Sequence, residues 1–150
     1  MTRALAPLLV LLVAAGTTAA EPPAETAARP VIRLVQSGRG WVVEARLDDR
    51  VPGRFLLDTG ATSCVVTPLV AGQLGRFPPA RHTDVDTAGG PVRAGVIRLR
   101  SLSVGPHRAE GVQALVLDEL DPGLDGVIGL NFLDQFAYTI DARRGILELR

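Results

Sequence analysis

The chain has 150 residues, 47% hydrophobic and 21% charged, the composition of one ordinary globular domain and not of a disordered protein. Lys+Arg and Asp+Glu both number 16, so a formal net charge of zero gives no general pull towards nucleic acid, another polyanion or an acidic membrane surface. Cys64 is the single cysteine, which excludes a disulfide within the chain and leaves stability to the core.

Residues 1–20, MTRALAPLLVLLVAAGTTAA, carry one early Arg, an apolar run and a small-residue end, the pattern of a secretory signal peptide. The run is shorter than the ~20 apolar residues of a spanning helix. Cleavage after Ala20 and an exported, periplasmic or secreted protein are therefore expected, and an uncleaved membrane tether is the alternative. Residues 21–30, rich in Pro, Ala and Glu, form a flexible lead-in, and the folded domain is expected over 31–150.

Within the domain, Trp41, Val43, Ala45 and Leu47 alternate with Val42, Glu44 and Arg46, which predicts a half-buried strand. DDRVPGR at 48–54 predicts a turn centred on Pro52 and Gly53, with 54–57 returning as a strand. CVV at 64–66 predicts another short strand, and Thr67-Pro68 a helix start, Thr as cap and Pro in the first turn, running to about Gln73. After a Pro-rich loop that holds His82, two strand-like runs flank 88–91, where Gly89-Gly90 predicts a hairpin tip. Residues 112–117 are apolar on one face and, apart from Gln113, on the other, as in an interior strand. DPGLDG turns the chain, VIGL is a buried-type strand, NFLDQF opens a helix with Asn131 as its cap, and a last hairpin turns at 143–145. The sum is a mostly β chain with one or two short helices and no solenoid repeat.

FLLDTGATSCVV at 55–66 takes a carboxylate into a turn between two apolar runs. A carboxylate near a core is costly unless it is hydrogen-bonded, paired or shares a proton. Asp58 is thus either a turn residue accepting backbone N–H bonds or an acid kept for chemistry.

DTGAT at 58–62 resembles the active-site loop of aspartic proteases, and DGVIGLNFL at 125–133 resembles the second element of that family. Their order, their separation and the glycine-tipped hairpin between them resemble the single-lobed, retroviral-type (retropepsin-like) branch, bacterial members in particular, over residues 31–150. The resemblance implies a single-lobe acid-protease fold, a closed β-barrel with one or two short helices, and an aspartic endopeptidase acting on peptide or protein substrates. It implies Asp58 as the catalytic carboxylate and Thr59 as a bond across a subunit boundary. Gly60 would admit the substrate backbone, and Ala61 and Thr62 would line the cleft. The hairpin over 83–97, tipped by Ala88, Gly89 and Gly90, becomes a flap, against the ordinary hairpin it otherwise is. Val127, Ile128 and Gly129 become a buttress behind the loop. No metal and no organic cofactor enter this chemistry.

The reaction needs two carboxylates, one as general base on a water and one protonated towards the scissile carbonyl. DTG occurs once in the chain. Asp48 and Asp49 fall in a predicted turn, Asp125 before the buttress and Asp141 in the last hairpin, so a homodimer with Asp58 beside its own copy on a two-fold axis is expected. Cys64 reads as a buried core residue, and one Cys with two scattered His, His82 and His107, does not make a metal site. A non-catalytic peptide-binding domain of the same fold is the alternative.

Overall fold

The computed structural model describes residues 30–38, 40–87, 89–118 and 120–150. Residues 1–29, with the predicted signal peptide and nearly all of the lead-in, lie outside the described residues, as does Ala88 of the hairpin tip. In chain order the elements are β1 (Ile32–Arg33), β2 (Val35–Ser37), β3 (Gly40–Leu47), β4 (Val51–Leu57), β5 (Cys64–Val66), α1 (Pro68–Gln73), β6 (Arg81–Thr87), β7 (Gly90–Arg98) and β8 (Ser101–Val104). They continue as β9 (His107–Glu110), β10 (Gln113–Val116), β11 (Gly126–Ile128), α2 (Leu130–Leu133), β12 (Tyr138–Asp141) and β13 (Ile146–Leu149). The described residues are mostly β with two short helices.

Ten strands form one sheet, in the order β6-β7-β10-β5-β11-β4-β3-β8-β9 with β2 beside β3, and β1-β13-β12 form a second. The expected closed barrel is not formed by the ladders of the described residues. The path ends at β6 and β9, each paired on its inner side only, and β6 is largely solvent-exposed, so no ladder joins the two ends. At the centre of the sheet β11 runs parallel to β4 and antiparallel to β5, which places the two family-like stretches side by side.

Most of the core lies on one side of this sheet. Leu47, Val104, Ile128, Phe132, Leu133 and Leu147 are fully buried there. Helix α2 is a single turn, too short to persist alone, and Phe132 and Leu133 pin it to that core. Truncating a buried Phe such as Phe132 to Ala costs about 3–5 kcal/mol. Helix α1 forms as expected, with the Val70 N–H donating to Thr67 Oγ1 at 3.3 Å and Pro68 in the first turn.

Four local expectations are corrected. The β3–β4 turn is made by Asp48 and Asp49, both at positive φ, with the Arg50 N–H donating to the Leu47 carbonyl. Pro52 and Gly53 lie inside β4, opposite Arg46 and Ala45, where that strand has a ladder partner on one side only and a missing N–H is tolerated. Asn131 lies within α2 and Gly129 holds the cap position without a side-chain bond. His82 belongs to strand β6 and not to the Pro-rich loop, and His107 opens strand β9. The run after the hairpin tip is broken at 99–100 into β7 and β8, because Leu99 turns its backbone to Val112 and the Arg100 and Ser101 amides turn to the Asp48 carboxylate.

Candidate active site

Strand β4 delivers Asp58. Phe55, Leu56 and Leu57 pair with Gly126, Val127 and Ile128, and the Asp58 N–H continues the ladder to the Ile128 carbonyl at 3.1 Å. The chain then leaves the sheet. The Gly60 N–H donates to Asp58 Oδ1 at 2.8 Å and the Ala61 N–H to the Asp58 carbonyl at 3.3 Å, so the backbone-bonded turn foreseen as the simpler reading is present. A Cβ at Gly60 would lie 3.1 Å from Oδ1, inside ordinary contact distance.

The loop is fastened from behind. The Leu130 N–H donates to the Ala61 carbonyl at 2.8 Å and the Asn131 N–H to the Thr62 carbonyl at 3.2 Å. Gly129 is the close approach that permits this, since a Cβ there would sit 2.6 Å from the Ser63 carbonyl and 2.8 Å from the Ala61 oxygen. Val127 and Ile128 are buried beside the loop. Gly126 is a second close approach, where a Cβ would strike the Val65 carbonyl and the Phe55 ring. Held at 58, 61 and 62, the loop leaves Asp58 half-buried and Thr59, Gly60 and Thr62 exposed.

A second apolar cluster joins this loop to the hairpin. Val65, Ala94, Leu115 and Val127 are buried together, and Leu56, Ala61, Val85, Val96, Leu117 and Leu120 pack half-exposed against them. Ala61 of the loop and Val85 of the hairpin therefore share one apolar layer. β10 supports β7 only over 95–98, so from Ala94 to the tip β7 is laddered to β6 alone. Thr87 Oγ1 organises the tip: it donates to the Gly90 carbonyl at 2.7 Å and accepts the Gly89 N–H at 3.2 Å. Gly90 has φ +110, a backbone that suits glycine.

Among the described residues no other acid joins Asp58. Asp125 Oδ2 accepts the Arg54 N–H at 2.8 Å, and Asp141 Oδ1 accepts the Arg143 and Arg144 amides at 3.0 Å. Asp48 and Asp49 sit at the far end of β4, Asp49 beside Arg108. Surface concavities of about 1050 and 550 Å³ are lined around β3 and around the outer side of the β6–β7 hairpin, and Asp58 lines neither. Among the described residues no three His, Cys, Asp or Glu side chains gather as metal ligands do. Cys64 is buried, burial pushes its thiol up to about 11, and its Sγ receives the Gly129 N–H at 3.5 Å.

Three residues of this arrangement were not read from the sequence: Gly126, Thr87 and the side chain of Asn131. A glycine immediately before the apolar pair in DGVIG and a threonine two positions before Gly89 are the signals that carried the first two.

Residues 43–132 match the family model described as aspartyl protease, more than half of the chain, and the chain belongs to that family. Among solved structures it is similar to a retropepsin-like aspartic protease from Rickettsia conorii, with a TM-score of 0.61 and 25% identity over 80% of this chain and 88% of that one. The fold is thus of the retropepsin-like type. No curated protein sequence matches the chain.

Proposed function

We propose that this chain is an aspartic endopeptidase that acts as a homodimer, with Asp58 and the partner's Asp58 as its catalytic pair. The observation that carries the reading is the loop itself: it is clamped from behind by α2 and β11, while its half-buried carboxylate has, among the described residues, the Gly60 N–H as its one hydrogen-bond partner. One such acid per chain cannot supply both base and acid. Two copies about 3 Å apart share a proton, the behaviour for which aspartic-protease dyads are known. One carboxylate then takes a proton from the attacking water while the other donates to the scissile carbonyl oxygen. The pair titrates as a unit and activity follows its macroscopic values.

Ala61 and Thr62 would line the cleft, Thr59 would bond between the paired loops, and the β6–β7 hairpin would close over an extended peptide. The signal-like N-terminus supports an exported enzyme, which the mass of the chain recovered from cells would test. Cleavage of an unstructured peptide mixture by residues 21–150 and by Asp58→Asn tests the central claim. Cuts by the parent alone, rising with the square of concentration where dimer is scarce, are expected. Equal hydrolysis by both would end the proposal.

The second reading, a peptide-binding domain without catalysis, draws on the Asp58–Gly60 bond, which gives the acid a purely structural use. A protein that sediments as a monomer and binds extended peptides uncut would favour it.

A further inference from the structure

Asn131 is placed as a rung and not as a cap. β5 and β10 run parallel, pairing Cys64 with Ala114, Val65 with Leu115 and Val66 with Val116. Where that ladder opens, Asn131 Oδ1 accepts the Cys64 N–H at 2.9 Å and Asn131 Nδ2 donates to the Gln113 carbonyl at 2.8 Å. A primary amide presents a donor and an acceptor as a peptide group does. It therefore stands in for the backbone that neither strand supplies at this level. The backbone N–H of the same residue holds the Thr62 carbonyl at 3.2 Å. One residue thus ties the 58–62 loop, the strand that leaves it, and β10, which in turn carries β7 and the hairpin.

We infer that Asn131 is a positioning residue that keeps the Asp58 loop in register with the strand bearing the hairpin, so that acid and hairpin are set by one side-chain amide. Its catalytic consequence rests on the protease reading, while its structural consequence does not. The chemistry is specific to an amide. Asn131→Asp keeps an acceptor for Cys64 but, when ionised, opposes an oxygen to the Gln113 carbonyl. When protonated it regains one donor and one acceptor.

The test is amide hydrogen exchange of residues 59–61 together with peptide cleavage, for the full chain and for Asn131→Asp, at about pH 7 and about pH 3.5, either side of the usual carboxyl range. At the higher pH exchange in the loop is expected to rise about tenfold or more, with β8 and β9 unchanged. There kcat/KM is expected to fall about 100-fold with KM moving far less, the signature of a misplaced reacting group. At the lower pH both are expected to return towards the parent measured under the same conditions. Gln135→Ala removes the 2.8 Å bond from Gln135 Nε2 to the Asn131 carbonyl and leaves the amide intact, so it is expected to match the parent. If Asn131→Asp does not fold at the higher pH, Asn131→Ser is measured in its place and is expected to show the same loop exchange without the recovery. Loop exchange equal to the parent, or protection lost evenly through β8 and β9 as well, would overturn the inference. A parent that never cleaves while the loop behaves as expected would overturn the protease reading alone.

Discussion

Strand β4 has an acid beyond each end, and the two are used in opposite ways. Asp48 has a fully buried side chain; its Oδ1 accepts the Arg100 N–H at 2.7 Å and the Ser101 N–H at 3.2 Å. Arg76 NH1 stands 2.6 Å from its Oδ2, held more by charge than by an aligned N–H. Burial alone would raise this carboxyl, but Arg76 and the two amides outweigh it and hold the group below its ordinary value. Asp58 is half-exposed and, among the described residues, has one backbone donor and no arginine paired with it. Both are aspartates in turns after an apolar strand, so the residue type decides nothing. The supply of partners separates a structural acid from an available one.

The sharpest break between them is activity. Asp58→Asn is expected to lower kcat/KM at least about 1,000-fold with an unfolding midpoint close to the parent's, as read by urea denaturation beside the cleavage assay. Asp48→Ala is expected to do the reverse to stability. It strands two amides and Arg76, costs about 3–5 kcal/mol, and lowers activity only through the folded fraction. Gly126→Ala tests the floor beneath Asp58: the added methyl meets the Val65 carbonyl and is expected to cost about 1–3 kcal/mol. The smallest effect is on pH. Because the folded Asp48 carboxyl lies below its ordinary 3.8, the unfolded chain takes up a proton first as pH falls. The stability it gives is present above about pH 4 and is lost as pH drops through the folded value. Unfolding midpoints measured down an acid series are expected to fall more steeply for the parent than for Asp48→Asn.

Much of the site was legible because it is local. The Asp58 turn, the Thr67 cap, the hairpin about Gly89 and the apolar pair before Gly129 are each written within a few residues. What was illegible depends on distance. Pro52-Gly53 looked like the better turn, yet Asp48 takes the positive φ because Ser101 and Arg76, far along the chain, reward it there. Asn131 looked like a helix cap because its partners, Cys64 and the Gln113 carbonyl, are visible only once β5 and β10 lie together. Barrel closure was not legible for a similar reason: strand content can be read along the chain, but whether the last ladder meets the first cannot.

β1 is two residues long and flanks β13 opposite β12, so the final strand is enclosed at its first half and offers no free edge there. Ile32 is buried and packs towards Gly105, and the Leu34 N–H reaches the Gly145 carbonyl at 2.9 Å. Ile32 and Leu34 thus tie the start of the folded strands to the carboxy-terminal sheet. A cut after Arg33 would remove β1, leave β13 paired with β12 alone over its first half, and take the buried Ile32 out of the core.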